Sequence, residues 1–203
     1  MMHEHHTLPV HIQLMTLIAG KWLSQPLSVL ADLRVCDELA AGPLTTAELA
    51  SRVGADPDIL YRLMRVAAAL GLLAEENGRF RLLPLGEPLR SAVPCSLRDL
   101  TVFLGSRPTW ESFAAILHTA RTGEPAFDAV HGQDFFSYLS GQPELARAYQ
   151  GGLAKLADEL GSEMVKVFDF VRFPVLADIG GGHGRMLLHI LRANSTMAGL
   201  LID

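Results

Sequence analysis

Apolar and polar residues alternate along this chain with four successive patterns. In residues 8–39, Leu14, Leu17, Ile18, Trp22, Leu27, Leu30, Leu33 and Val35 recur at mostly helical intervals, which predicts two helices broken near Pro26. Residues 43–83 are punctuated more sharply. Thr45 with Glu48 is a capping-box pair, so a helix is expected from about Thr46 to Val53, ending at Gly54. Asp56 followed by Pro57 opens a second helix, on which Leu60, Leu63, Met64, Ala67 and Leu70 share a face, and Gly71 closes it. Residues 72–74, Asn77-Gly78 and residues 80–82 then read as strand, turn and strand. Helix, helix and hairpin in that order predict a winged helix.

The third pattern, residues 97–173, is mostly helical, with breaks expected at Pro108, Gly123-Glu124-Pro125, Gly132, Gly141-Gln142-Pro143, Gly151-Gly152 and Gly161. The fourth is the most informative. A short apolar run from Val175 to Ile179 leads into Gly180-Gly181-Gly182-His183-Gly184, then a helical stretch from Arg185, then Gly199-Leu200-Leu201-Ile202 and the carboxylate of Asp203. This is the order of the opening β-α-β of a nucleotide-binding sheet.

Each part of that stretch has a chemical consequence. Gly180, Gly182 and Gly184 permit positive φ and put no Cβ between a ligand and the first N–H groups of the helix. Asp203 follows Gly180 by about the 20 residues that place an acid on ribose hydroxyls at the end of the second strand. The dinucleotide fingerprint G-x-G-x-x-G fails at Arg185, leaving G-x-G-x-G. Asp178, two residues before the first glycine, would repel a pyrophosphate but attract the ammonium and sulfonium of S-adenosyl-L-methionine. The candidate cofactor-binding residues are therefore Asp178, Gly180, Gly181, Gly182, Gly184 and Asp203. The competing reading is a glycine turn in an unrelated α/β protein, and the acid after the second strand counts against it.

The stretch from Val175 to Asp203 resembles the first cofactor motif of the S-adenosylmethionine-dependent small-molecule O-methyltransferases, the group of plant phenolic and bacterial polyketide-tailoring enzymes. The likeness extends through Pro43-Leu44-Thr45-Thr46-Ala47-Glu48-Leu49-Ala50, Leu60-Tyr61-Arg62-Leu63-Met64-Arg65, Gly78-Arg79-Phe80, Thr122-Gly123-Glu124-Pro125-Ala126-Phe127 and Pro143-Glu144-Leu145-Ala146. It implies a mainly α winged-helix dimerisation domain in residues 1–98, a helical linker and substrate-cap region in residues 99–172, and, in residues 173–203, the start of an α/β doubly wound, Rossmann-like methyltransferase domain. It also implies methyl transfer to a hydroxyl of a small aromatic or polyketide-like acceptor, with Trp110 and Phe127 lining the acceptor pocket and a homodimer formed through the amino-terminal helices. The resembled enzymes take their general base, often a histidine, from a segment beyond the second strand. The expectation is thus a chain truncated after that strand, without its catalytic base and inactive alone. A non-catalytic dimerisation module and a winged-helix DNA-binding regulator are the alternatives.

Composition narrows these choices. A net charge of −5 and a pI near 5.9 disfavour general nucleic-acid binding. Asp56 and Asp58 at the leading end of the would-be recognition helix, with Glu75 and Glu76 near the hairpin turn, oppose phosphate contacts. Cys36 and Cys95 are too few for a disulfide framework or zinc site, and no apolar run reaches the ~18 residues of a membrane span, so a cytoplasmic protein is expected, with no membrane partner. His3, His5 and His6 read as a frayed terminus, not as a metal site. His118, His131, His183 and His189 have no neighbour in sequence that suggests nucleophilic catalysis, and no catalytic residue is assigned.

Overall fold

The computed structural model describes residues 9–203; His3, His5 and His6 lie outside them. The chain divides into two compact units, which meet between Glu87 and Pro88 in sequence.

The first unit begins with α1 (Val10–Ile18), α2 (Gly20–Asp32) and α3 (Val35–Leu39). The expected break at Pro26 is not there. Pro26 lies inside α2, and the chain instead turns at Ala19 and at Arg34, whose φ of 57° is left-handed. Proline forfeits one backbone hydrogen bond, but α2 continues past it because Leu30 and Ala31 are fully packed and the helix lies against α5 (Pro57–Ala69). The short strand β1 (Leu44–Thr45) leads into α4 (Thr46–Val53).

Both predicted caps form. The Thr45 amide donates to Glu48 Oε2 at 2.7 Å while the Glu48 amide donates to Thr45 Oγ1 at 3.2 Å, and Gly54 ends α4 at φ 68°. The Ile59 amide donates to Asp56 Oδ1 at 2.9 Å, starting α5. The hairpin β2 (Leu73–Glu76) and β3 (Arg79–Leu82) turns through Asn77 and Gly78, both at positive φ as a tight hairpin turn requires. β3 also pairs antiparallel with β1, giving the order β1-β3-β2. Leu30, Val35, Leu49, Leu60, Met64, Leu73 and Phe80 fill the core. Leu60 and Met64, two of the positions picked out by their shared helical face, are among them.

The second unit is helical through α6 (Arg98–Leu104), α7 (Arg107–Ala114), α8 (Ile116–Thr122), α9 (Ala126–His131) and α10 (Phe135–Ser140). Pro108 lies in the first turn of α7, and Gly123 and Gly132 end α8 and α9 in left-handed conformations, as expected of these residues. The breaks expected at Gly151-Gly152 and Gly161 do not occur. One helix, α11 (Pro143–Val167), runs through all three. These glycines serve close approach instead: a Cβ on Gly152 would stand 2.7 Å from the backbone of Leu100 in α6, and one on Gly161 would stand 2.9 Å from His189 Cβ.

The closing segment is β4 (Val175–Ile179), α12 (Arg185–Ala193) and β5 (Ala198–Ile202), with β4 and β5 parallel. Phe170, Ile190 and Met197 form a small core beneath it, joined by Leu176 and Met186. α11 packs along α12 on one side and α6 on another, which makes it the spine of the unit. Among the described residues no helix is long and apolar enough to cross a membrane.

Candidate functional site

Parallel strands release their carboxyl ends on the same edge of a sheet. Because Ile179 stands opposite Ile202, the glycine turn after β4 and Asp203 after β5 emerge together. The Gly180 amide fixes this edge by donating to the Ile202 carbonyl at 2.7 Å. Gly180, Gly182 and Gly184 adopt φ of 73°, 54° and 66°, where any Cβ is strained. Gly181 is required for a different reason. A side chain there would run into the Asp178 carboxylate and Leu201. Gly184 caps α12 and its amide donates to the Gly181 carbonyl at 2.8 Å, so the first N–H groups of the helix are left for an outside acceptor.

A cavity of about 660 Å³ opens on this turn. Asp178, Gly180, Gly181, Gly182, His183, Arg185 and Asp203 line one part of it, and Phe136, Leu139, Tyr149, Leu153, Ala157 and Leu160 from α10 and α11 line the rest. The volume is that of a small-molecule site. Two carboxylates beside bare glycine backbone suit a ligand with positive charge and sugar hydroxyls, and the apolar wall suits a flat or apolar body. The residues present therefore fit S-adenosylmethionine.

Five of the six expected cofactor positions, Asp178, Gly180, Gly181, Gly182 and Asp203, border the cavity directly. Gly184 stands just behind them, where an added Cβ would lie 3.1 Å from Leu201 Cδ2. Trp110 and Phe127 are not in its lining. Trp110 lies on α7, half-buried; Phe127 centres an aromatic cluster, 4.4 Å from the His131 ring, 5.3 Å from Phe135 and 5.4 Å from Tyr138. The aromatic residues at the cavity itself are Phe136 and Tyr149.

A second feature has no counterpart in the sequence reading. Arg185, the first residue of α12, donates through Nε to Asp158 Oδ1 at 2.9 Å and through Nη2 to Asp158 Oδ2. His189, one turn further on, lies with Nε2 3.1 Å from Asp158 Oδ1. An ionised carboxylate only accepts, so His189 Nε2 carries the proton of this bond. The Arg185 bonds, aided by His189 against a smaller desolvation cost, hold the Asp158 carboxyl below its ordinary range. The signal was half visible: Arg185 and His189 are four apart, on one face of their helix, but nothing local identifies the partner 27 residues upstream. This trio itself lines a second cavity of about 570 Å³, where Cys95 Sγ donates to Glu159 Oε2 at 2.9 Å; that bond raises the thiol above its usual range.

Comparison with known proteins bears on the chain as a whole. Residues 15–90 match the O-methyltransferase dimerisation domain and residues 110–203 the O-methyltransferase domain. The chain is 34% identical over 197 residues to the phenazine O-methyltransferase PhzM of Lysobacter antibioticus, covering 97% of this chain and 58% of that protein. It is 37% identical over 199 residues to the O-demethylpuromycin-O-methyltransferase of Streptomyces alboniger, covering 94% of this chain and 51% of that one. The chain thus spans only a little over half the length of these relatives. Among solved structures, CalO1, a methyltransferase of calicheamicin biosynthesis in its SAH-bound form, superposes with a TM-score of 0.81 at 30% identity, covering 95% of this chain and 58% of that one. With a dimerisation domain and a methyltransferase domain matched in order along one chain, the protein belongs to the S-adenosylmethionine-dependent O-methyltransferase family.

Proposed function

We propose that the protein takes part in S-adenosylmethionine-dependent methyl transfer to a hydroxyl of a small aromatic or polyketide-like acceptor. The observation that carries this reading is the glycine turn Gly180–Gly184 opening, between Asp178 and Asp203, on a cavity of ligand size. When bound, S-adenosylmethionine supplies an electrophilic methyl group. In that site Asp203 would accept hydrogen bonds from ribose hydroxyls, the glycine backbone would leave room for the ligand beside the start of α12, and Asp178 would favour its positive charge. Leu139, buried, and Tyr149 give that ligand an apolar surface, with Phe136 exposed beside them. Relatives named for a phenazine and for O-demethylpuromycin support an aromatic acceptor. Phe127 bears on it through Phe135, which packs in turn on Phe136 at 5.3 Å.

The amino-terminal unit, whose helix, helix and hairpin order is that of a winged helix, serves as a dimerisation module here. Val10, Leu17 and Trp22 are 81%, 78% and 66% exposed along α1 and the start of α2, an apolar strip that a second copy would cover. Isothermal titration of the chain with S-adenosylmethionine tests the cofactor assignment. Saturable binding is expected, weakened about 10- to 100-fold in Asp203→Ala, the scale of lost hydrogen bonds to a charged group. No saturable binding, or unchanged affinity in the variant, would refute it.

A further inference from the structure

The cofactor reading gives Asp178 and Asp203 the task of attracting a cation, yet the cationic residue Arg185, directly after the glycine turn, borders the same cavity as well as the neighbouring one that Asp158 and His189 line. A fixed positive charge there opposes the sulfonium of S-adenosylmethionine. It does not oppose S-adenosylhomocysteine, the product, which has lost that charge along with the methyl group. The structure shows how Arg185 is held. Both of its bonds run to the two oxygens of Asp158, on the face of α11 turned to α12, and His189 Nε2 binds the same carboxylate at 3.1 Å.

The clamp depends on close packing of these two helices. Gly161 lies three residues after Asp158, on the same face of α11, and a Cβ there would meet His189 Cβ at 2.9 Å. Gly161 therefore lets α12 approach until Arg185 and His189, one turn apart, both reach Asp158. Bidentate pairing is the geometry that fixes a guanidinium in one orientation, and it sets one negative charge against the positive one.

We propose that Asp158 is a positioning residue for methyl-donor binding: it neutralises and anchors Arg185 at the mouth of the glycine turn, so that the cavity retains the negative charge of Asp178 and Asp203 and prefers the sulfonium cofactor to its neutral product. The inference rests on the cofactor assignment above. It assigns Asp158 no contact with either ligand.

The test compares affinities of the 203-residue chain for S-adenosylmethionine and S-adenosylhomocysteine by calorimetry, in Asp158→Asn, Arg185→Met and the double variant. In Asp158→Asn the guanidinium is uncompensated, and the preference for the sulfonium ligand should fall by about tenfold, the scale of one unit charge in a half-exposed site. The double variant should restore it, because no guanidinium remains to be compensated. Arg185→Met alone should keep or raise the preference, which leaves the idea testable if Asp158→Asn folds poorly. Equal weakening of both ligands in Asp158→Asn would mean the carboxylate is only structural, and so would a preference that the double variant fails to recover; either overturns the proposal. If the unmodified chain binds neither ligand, the cofactor assignment fails and this inference with it. If it binds both and Asp158→Asn leaves their ratio unchanged, only the inference fails.

Discussion

Replacing Gly152 by alanine separates two opposite accounts of the glycines in α11. If Gly152 is merely a poor helix former, alanine should stabilise the chain by about 1 kcal/mol. The structure reverses the sign. An added Cβ would stand 2.7 Å from both Leu100 N and Leu100 Cα and 2.9 Å from Leu100 Cβ, whereas carbon contacts are relaxed only near 3.5–4.0 Å. Two of these three atoms are backbone, so no rotamer change relieves them and α6 must retreat by about 1 Å along its packed length. Overpacking of this kind costs about 1–3 kcal/mol. Set against the propensity gain, a net loss of up to about 2 kcal/mol is expected, or up to about 4–8 °C in Tm for a chain of this size. Gly151→Ala is the internal control. Its added Cβ meets Asp99 Oδ2 at 2.8 Å, the end of a flexible side chain that can swing aside, so the propensity term should win and the variant should be neutral or slightly more stable. Urea unfolding followed by circular dichroism measures all three proteins. Stabilisation by Gly152→Ala, or equal effects at 151 and 152, would refute the close-approach argument.

Three further outcomes are expected. Thr45→Ala removes the side-chain acceptor for the Glu48 amide and should cost about 1 kcal/mol in urea unfolding, whereas Thr45→Ser should cost much less. Acid should destabilise the protein. Asp158, Glu48 and Asp134 have carboxyls held below the ordinary range, chiefly by bonds from Arg185, Thr45 and Ser137 respectively; their contribution is complete above the unfolded carboxylate pKa and is lost as pH falls through the lower folded values, visible as a Tm decline that Asp158→Asn makes shallower. Replacing Leu17 and Trp22 together by serine should leave Tm nearly unchanged in dilute monomer but shift sedimentation from dimer toward monomer, and an unaltered dimer would place the interface elsewhere.

What could be read from the sequence follows from how local each signal is. The Thr45–Glu48 box, the Asp56-Pro57 start, the Asn77-Gly78 turn and the glycine turn at 180–184 are each complete within about five residues, because caps and turns are satisfied by their nearest neighbours. Pro26, Gly152 and Gly161 misled for one shared reason. Their local effect is to weaken a helix, and packing overrode it: α2 is held by its buried face, and the glycines give α11 its closest neighbours. The aromatic residues at the glycine turn carry no local signal either. Which aromatic side chains of this helical region reach the glycine turn depends on how α10 and α11 lie against it, and Phe136 and Tyr149 do so.

The same distinction explains why Asp158 escaped sequence reading although it lies close to the site. A glycine turn announces itself because its backbone conformation excludes other residues at each position. A charge-compensating residue is bound by no such local rule; any element that comes within reach of Arg185 could supply the carboxylate. Here the reach is set by Gly161, where the absence of a Cβ brings α11 close to His189. The helix interior glycine that looks like a defect in one dimension thus fixes, in three, the distance over which a carboxylate can cancel a cation beside the glycine turn. Gly161→Ala should accordingly do more than destabilise. By moving α12 away from α11 it should weaken the Asp158–Arg185 pair, and the preference for sulfonium over thioether ligand should fall in parallel with Asp158→Asn. A loss of stability with that preference intact would show the pair to be independent of the helix spacing.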